Sequence, residues 1–311
     1  MVQLAVSLSH LHPLNGFALP LLPAIAHDIE AAGADQLVLS EHVTLGAGGI
    51  LDHGPGGGPF PFPPDELYPE PLTALAAISG ATRTARLCTN ILIGPLRPAV
   101  LLAKTAATVD ALSGGRLELG LGTGWYEREF NALGVPFARR GLRLEEQIKA
   151  CRALWSGRPA SFDGETVSFR DMVCAPAPIQ PGGIPIWLGG EPTPATARRV
   201  AALADGWTVI GSTPPAQVAA GVALIHRARA DVAQVPPGDV GRFPLAVRCS
   251  LPVGRDQAGR PDLAITLAAA QAYVTAGATV IQLPVLASFA SSLDDISALV
   301  EVAAGHIHHL G

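Results

Sequence analysis

The chain has 311 residues, 34 of them Gly and 28 Pro, with 49% hydrophobic and 15% charged. So much apolar material with so little charge excludes a disordered chain, because disorder pairs low hydrophobicity with high charge. A net charge of −5 without a basic stripe argues against a nucleic-acid partner.

In chain order, apolar β-rich runs predict strands at Gln3–Ser9, Asp35–Glu41, Arg86–Ile93, Arg116–Gly124, Ile184–Gly190, Gly206–Ile210, Phe243–Leu251 and Thr279–Val285. Ala- and Leu-rich stretches of helical period follow them at Leu19–Ala32, Glu70–Arg83, Pro98–Leu112, Leu142–Ser156, Pro194–Ala204, Pro214–Ala233, Asp262–Ala276 and Leu293–Ala304. Near-continuous apolar strands suit burial on both faces. Eight strands alternating with eight helices predict an α/β fold, a closed (β/α)8 TIM barrel forming one domain over residues 1–311. Two loop insertions exceed the usual handful of residues. One, Thr44–Pro69, follows strand 2; twelve of the 19 residues from Gly46 to Pro64 are Gly or Pro, and the segment is expected to cover the site. The other precedes strand 5 and contains a hairpin, Ser161–Phe169, turning at Asp163-Gly164.

The four cysteines, Cys88, Cys151, Cys174 and Cys249, form no C-x-x-C pair, which argues against a zinc ribbon or a disulfide framework. No apolar run is long enough to span a membrane, and the first Lys or Arg is Arg83, so neither a membrane partner nor a secretory n-region is expected. The expected location is the cytoplasm. Residues 1–82 hold eight acids and no Lys or Arg, so an anionic ligand must find its cations later in the chain.

Barrels of this kind keep their chemistry at the C-terminal ends of the strands. Strand 1 ends in Ser9-His10-Leu11-His12, and alternate imidazoles can open a metal site. Later strand ends offer Gly189-Gly190, Ile210 and Leu286 in place of further ligands, so no metal is expected and His10 is read as lining the pocket. Strand 2 ends in Ser40-Glu41-His42, either a solvated pair at a loop start or, at the barrel mouth, a proton-exchanging histidine. Thr89-Asn90-Ile91 ends strand 3; Asn is depleted in buried strands, and a bulge there would expose backbone to a ligand. Strand 4 ends in Gly120-Leu121-Gly122-Thr123-Gly124-Trp125. The third glycine of a dinucleotide fingerprint would fall at Trp125, so that reading fails. These glycines either let a flat ring lie on the backbone or serve tight packing at the rim.

Strand 5 runs through Gly189-Gly190-Glu191-Pro192-Thr193-Pro194 into a helix. Freed amides, a hydroxyl and a helix start suit an anion, and Thr193 can also cap the helix with Pro194 at its first position. Arg139, Arg140 and Arg143 beside Glu145 and Glu146 read as a salt-bridged helix start, with Arg140 in reach of a phosphate. His306, His308 and His309 read as a solvated tail.

A set of segments in order resembles the luciferase-like flavin and deazaflavin superfamily, in its branch of coenzyme F420-dependent oxidoreductases. They are Gly33-Ala34-Asp35 through Ser40-Glu41-His42, Leu101 to Lys104, Asp110 to Leu117, Leu119 to Trp125, Glu129 to Gly134, Arg140-Gly141, Pro185 to Gly190, and Ala204 to Trp207. Together they span about residues 3–210; the last hundred residues keep only the barrel period. The resemblance implies that His42 sits by the cofactor ring and acts in protonation. It implies a cis peptide at Asn90–Ile91 in the strand-3 bulge behind the ring, where the family's usual residue is Gly. Gly122, Thr123 and Gly124 would flank the ring, and Gly189, Gly190, Glu191 and Thr193 would form the phosphate region. Trp125 stands where sugar-phosphate-oxidising members carry a carboxylate, so that activity is not expected.

The function expected from the resemblance is hydride transfer between F420 and a small organic substrate. The alternative is an FMN-dependent two-component monooxygenase partnered by a flavin reductase. An alternative of another class is a non-catalytic flavin-binding barrel. A homodimer is compatible with each.

Overall fold

Eleven strands and ten α-helices are laid down over residues 1–47, 62–63, 65–211, 213–232 and 245–310, which the computed structural model describes. The first elements are β1 (Gln3–Ser7), α1 (Leu22–Ala31), β2 (Gln36–Leu39), α2 (Pro71–Ala81), β3 (Arg86–Thr89), β4 (Leu92–Ile93), α3 (Ala99–Leu112) and β5 (Leu117–Gly122). They continue with α4 (Glu127–Ala132), α5 (Arg140–Leu154), β6 (Ala160–Asp163), β7 (Ser168–Met172), β8 (Ile186–Gly190), α6 (Pro194–Leu203), β9 (Gly206–Val209) and α7 (Pro215–Val232). The last are β10 (Ala246–Ser250), α8 (Leu263–Ala268), α9 (Ala270–Thr275), β11 (Val280–Gln282) and α10 (Ile296–Ile307).

Helix starts follow side-chain chemistry. The Glu70 carboxylate accepts from Thr73 N with Pro71 in the first turn of α2, and Asp262 accepts from Ile265 N at α8.

The parallel strands run in the order β3-β2-β1-β11-β10-β9-β8-β5-β4, and pairing of Leu87 with Leu117 and Cys88 with Glu118 joins β3 to β5 and closes the barrel. The chain is therefore an α/β TIM barrel of eight staves. The third stave is split: β3 pairs with β2, β4 pairs with β5, and the peptide between them, Asn90–Ile91, is cis. The β6–β7 hairpin stands apart as an antiparallel pair. Glu146 of α5 accepts from the Glu165 and Thr166 backbone N–H groups at its turn.

Ile29, Ile78, Leu102, Ile148, Val200 and Val300, one from each of six helices, are fully buried against the outer face of the staves. Inside the barrel, Ala5, Val38, Cys88, Trp187 and Val280 cluster. There the fully buried Arg248 lies 4.4 Å over the Trp187 ring, donates to Gln36 Oε1, and stands 3.7 Å from Glu118 Oε2. Among the described residues no helix is long and apolar enough to cross a membrane.

Several expected boundaries shift. The first helix begins with a 3-10 turn at Leu19–Leu21, the helix expected at Asp262–Ala276 divides into α8 and α9, and the short α4 was not foreseen. Phe243 and Ala233 lie outside the described residues, as does most of the loop expected to cover the site, residues 48–61 and 64. Of the terminal histidines His306 and His309 are exposed, as expected, with His309 Nδ1 meeting the Gly305 carbonyl; His308 departs from a solvated tail, its Nε2 lying 2.8 Å from Asp35 Oδ2. Nor do Arg139, Arg140 and Arg143 pair with Glu145 and Glu146. Arg139 binds Glu165 and Arg199 takes Glu145, because the hairpin and α6 reach those side chains first.

Glu30, at the end of α1, joins that helix to the start of β3. Its carboxylate accepts from the backbone N–H of Arg83, Thr84 and Ala85 at 2.7–3.0 Å. Burial pushes its pKa up, but these N–H groups outweigh it and hold the group below its ordinary value of 4.5. A depressed carboxylate stabilises the fold above its unfolded value, and that contribution is lost as pH falls through the folded one. Glu30→Ala is expected to cost about 1–3 kcal/mol at pH 7, read from urea midpoints. The gap between Glu30→Ala and the parent should narrow as the pH is lowered past 4.5. A gap that stays constant down to acid pH would contradict this.

Candidate active site

The C-terminal mouth of the barrel holds a pocket of about 570 Å³ lined by Ser40, Glu41, His42, Ile91, Ile93, Gly122, Thr123, Gly124, Trp125, Arg140, Gly189, Glu191, Thr193, Thr196 and Ile210. Eight of the twelve candidate site residues converge there: His42, Ile91, Gly122, Thr123, Gly124, Gly189, Glu191 and Thr193.

Its back wall is a side chain. A Cβ at Gly122 would come within 2.7 Å of Ile91 Cγ2, and one at Gly189 within 2.6 Å of Ile91 Cδ1. The two glycines therefore make room for Ile91, which itself faces the pocket. For Gly122 this is the packing alternative of the two read from the strand-4 glycines, with Ile91 as the side chain that is packed. Gly124 has φ +74, and a Cβ there would press on Ile93 and the Phe130 ring at 2.7 Å, so it serves packing at the rim.

Four candidates lie outside the lining. Thr89 is fully buried, and its hydroxyl donates to Gly120 O at 2.8 Å, which ties two staves together. Asn90 Nδ2 donates to Gln282 Oε1 at 2.9 Å across the barrel, and its buried Oδ1 has no hydrogen-bond partner among the described residues. Gly190 gives its carbonyl to Trp207 Nε1 at 3.0 Å, and its Cα faces Thr196.

His10, at φ 62, turns to the loop after strand 2. Its ring stacks on Phe62 at 3.5 Å and meets the edge of Tyr68 at 5.3 Å. His10 Nδ1 and His12 Nδ1 both approach Glu66 Oε1, at 3.1 and 2.8 Å. Burial lowers the His10 pKa, with Glu66 opposing it. Burial, helped by Glu66 and Glu129, raises that of Tyr68 and keeps its hydroxyl protonated.

Glu41 is not a solvated loop residue. Its carboxylate accepts from Ile93 N at 2.7 Å and from the Arg97 guanidinium, which also binds Glu70 at 2.8 Å. It pins the resumed strand β4 beside the pocket. His42, nearly buried, lies edge-on to Tyr68 and Trp125 at 5.3 and 5.6 Å. Its Nδ1 stands 3.3 Å from Oε2 of the fully buried Glu129 in α4. Glu129 was matched to a family segment in the sequence but not to a role. The two residues are 87 positions apart, and α4 is too short for a periodic signal.

The start of α6 forms another side of the pocket. Thr193 caps it by accepting from Thr196 N at 3.2 Å. Arg140 donates Nε to Gly124 O at 3.0 Å and lies 3.9 Å over the Phe137 ring, which holds its charge at the rim. Glu191 is the exposed acid of this side.

Comparison with known proteins agrees with this architecture. A structure of an F420-dependent secondary alcohol dehydrogenase, in complex with an F420-acetone adduct, matches with a TM-score of 0.75 at 15% identity, covering 98% of this chain and 99% of that one. At that identity the likeness shows the fold. An uncharacterised protein of Mycobacterium tuberculosis (strain ATCC 25618 / H37Rv) is 39% identical over 147 residues, 46% of this chain and 52% of the relative, so the chain spans about half that relative's length. The FMNH(2)-dependent dimethylsulfone monooxygenase of Pseudomonas putida is 35% identical over 141 residues, 44% of this chain and 38% of that protein. Residues 6–297 match the family described as luciferase-like monooxygenase, and the chain belongs to that family.

Proposed function

We propose that this protein is an oxidoreductase that moves a hydride between the deazaflavin F420 and a carbonyl-like or unsaturated carbon of a small apolar substrate. The observation that carries the reading is the pocket itself: its lining combines an apolar wall at Ile91, a single histidine, the capped N-terminus of α6 and Arg140.

The residues fit such a cofactor. A volume of about 570 Å³ is of the size of ligand pockets, roughly 300–1,000 Å³. Ile91 and Ile93 offer a flat apolar face to a tricyclic ring. Arg140 and the start of α6 suit a phosphoryl group. Glu191 repels phosphate but accepts from hydroxyls, so it suits a polyol chain better than the phosphate region first assigned to it.

When bound, the cofactor supplies the two-electron redox chemistry. The chain's own residues do the rest. Ile91 would back the ring and Gly122 to Trp125 would flank it, while Trp125 and Tyr68 shield the imidazole from water. His42 exchanges the proton that accompanies the hydride: it takes the proton of a substrate hydroxyl as that carbon is oxidised and returns it in the reverse direction.

A second reading exchanges F420 for FMN and adds O₂, with a flavin reductase as partner. It is favoured by the flavin-dependent oxygenase named above, to which this chain is 35% identical over the matched segment. Absorbance titration of the purified protein separates the two. Saturable F420 binding is expected; saturable FMN binding with none of F420 would overturn the choice.

A further inference from the structure

The two oxygens of the Glu129 carboxylate have different tasks. Oε1 accepts the backbone N–H of Val43 at 2.5 Å and of Thr44 at 3.3 Å, while Oε2 faces His42 Nδ1 at 3.3 Å. Glu129 itself has no exposed surface and its contact with His42 is buried, whereas Val43 and Thr44 lie at the exposed start of the loop. A carboxylate oxygen accepts, and an imidazole nitrogen that donates to it leaves the ring's lone pair on the other nitrogen.

We propose that Glu129 is a positioning residue that holds His42 as its Nδ1–H tautomer and so makes Nε2 the proton-accepting atom. The functional use of that atom rests on the reading given above; the tautomer itself does not. The same carboxylate fixes the start of the loop after β2 through Val43 and Thr44. Ring orientation and loop position are thus set by one group. When Nε2 takes a proton from a substrate hydroxyl, the resulting imidazolium stands against an anion already in place, and no solvent has to rearrange.

Glu129→Gln tests this without changing shape. Val43 N and Thr44 N still require an acceptor, which keeps the amide oxygen on them and turns the NH₂ group toward His42. Nδ1 must then accept, and the proton moves to Nε2. The ring ¹⁵N shifts of His42, assigned against a His42→Gln blank, are expected to report Nδ1–H in the parent protein and Nε2–H in Glu129→Gln. Turnover should fall about a hundredfold while cofactor affinity stays within about twofold.

A parent protein already in the Nε2–H form, or a Glu129→Gln protein that keeps Nδ1–H, would overturn the proposal. Should Glu129→Gln not fold, Glu129→Asp keeps the charge but withdraws it, and a mixture of both tautomers is expected; a pure Nδ1–H population would overturn the proposal equally. Inversion of the tautomer in a protein that binds neither F420 nor FMN would uphold the positioning role and remove the redox reading.

Discussion

Gly120→Ala is expected to lower the stability of the barrel by about 3 kcal/mol or more. A Cβ at this position would stand 2.0 Å from the Thr89 carbonyl oxygen and 3.1 Å from its carbonyl carbon. Both atoms are backbone and cannot rotate away, so β3 and β5 would have to separate where they close the barrel. The Thr89 hydroxyl is bonded to Gly120 O and would be pulled out of place as well. Gly122→Ala is a useful contrast, because its nearest obstruction is the Ile91 side chain at 2.7 Å, which can turn at a smaller cost. In urea unfolding the Gly120→Ala midpoint should drop with the slope unchanged. A midpoint equal to the parent's would mean that the two staves do not approach as described.

His42→Ala is expected to reduce turnover by about 10²–10⁴-fold, the usual contribution of a placed proton-transfer group. Neither the Ile91 wall nor the start of α6 contains any part of His42, so affinity for the proposed cofactor should change little. Truncation also removes a ring lodged against Tyr68 and Trp125. His42→Gln, which keeps bulk without an imidazole, should therefore lose turnover to a similar extent. Unchanged turnover in both variants, with every acceptor that the parent protein uses, would exclude a proton role for His42.

The alternation of strands and helices was legible because each stave is a short apolar run and the stretches between are long and rich in Ala and Leu, with side-chain caps at α2, α6 and α8. Thr193-Pro194 could be read as a helix start from two adjacent letters, and the structure places an N-cap there. The purpose of Gly122 and Gly189 was not legible. Both make room for Ile91, a residue on another stave, and spacing along one strand carries no record of what the neighbouring strand puts beside it. Glu129 shows the same limit: a buried carboxylate and the histidine it faces are brought together only by barrel closure. Arg139, Arg140 and Arg143 were misread because the i to i+4 rule considers a helix alone, whereas here the hairpin and α6 supply the partners.

The Arg248 side chain at the centre of the barrel bears on the order in which the molecule can be assembled. Its bond to Gln36 spans 212 residues, and its other neighbours, Glu118 and Trp187, belong to β5 and β8. A nascent chain that has emerged only as far as β9 would have Gln36 and Glu118 facing an interior that lacks its buried cation, with the sheet still open between β9 and β1. Contacts so distant in sequence form late and slowly. On the ribosome, the barrel can therefore be completed only after β10 and β11 have been released, and until then its unpaired edges are the part of the molecule that chaperones would have to shield.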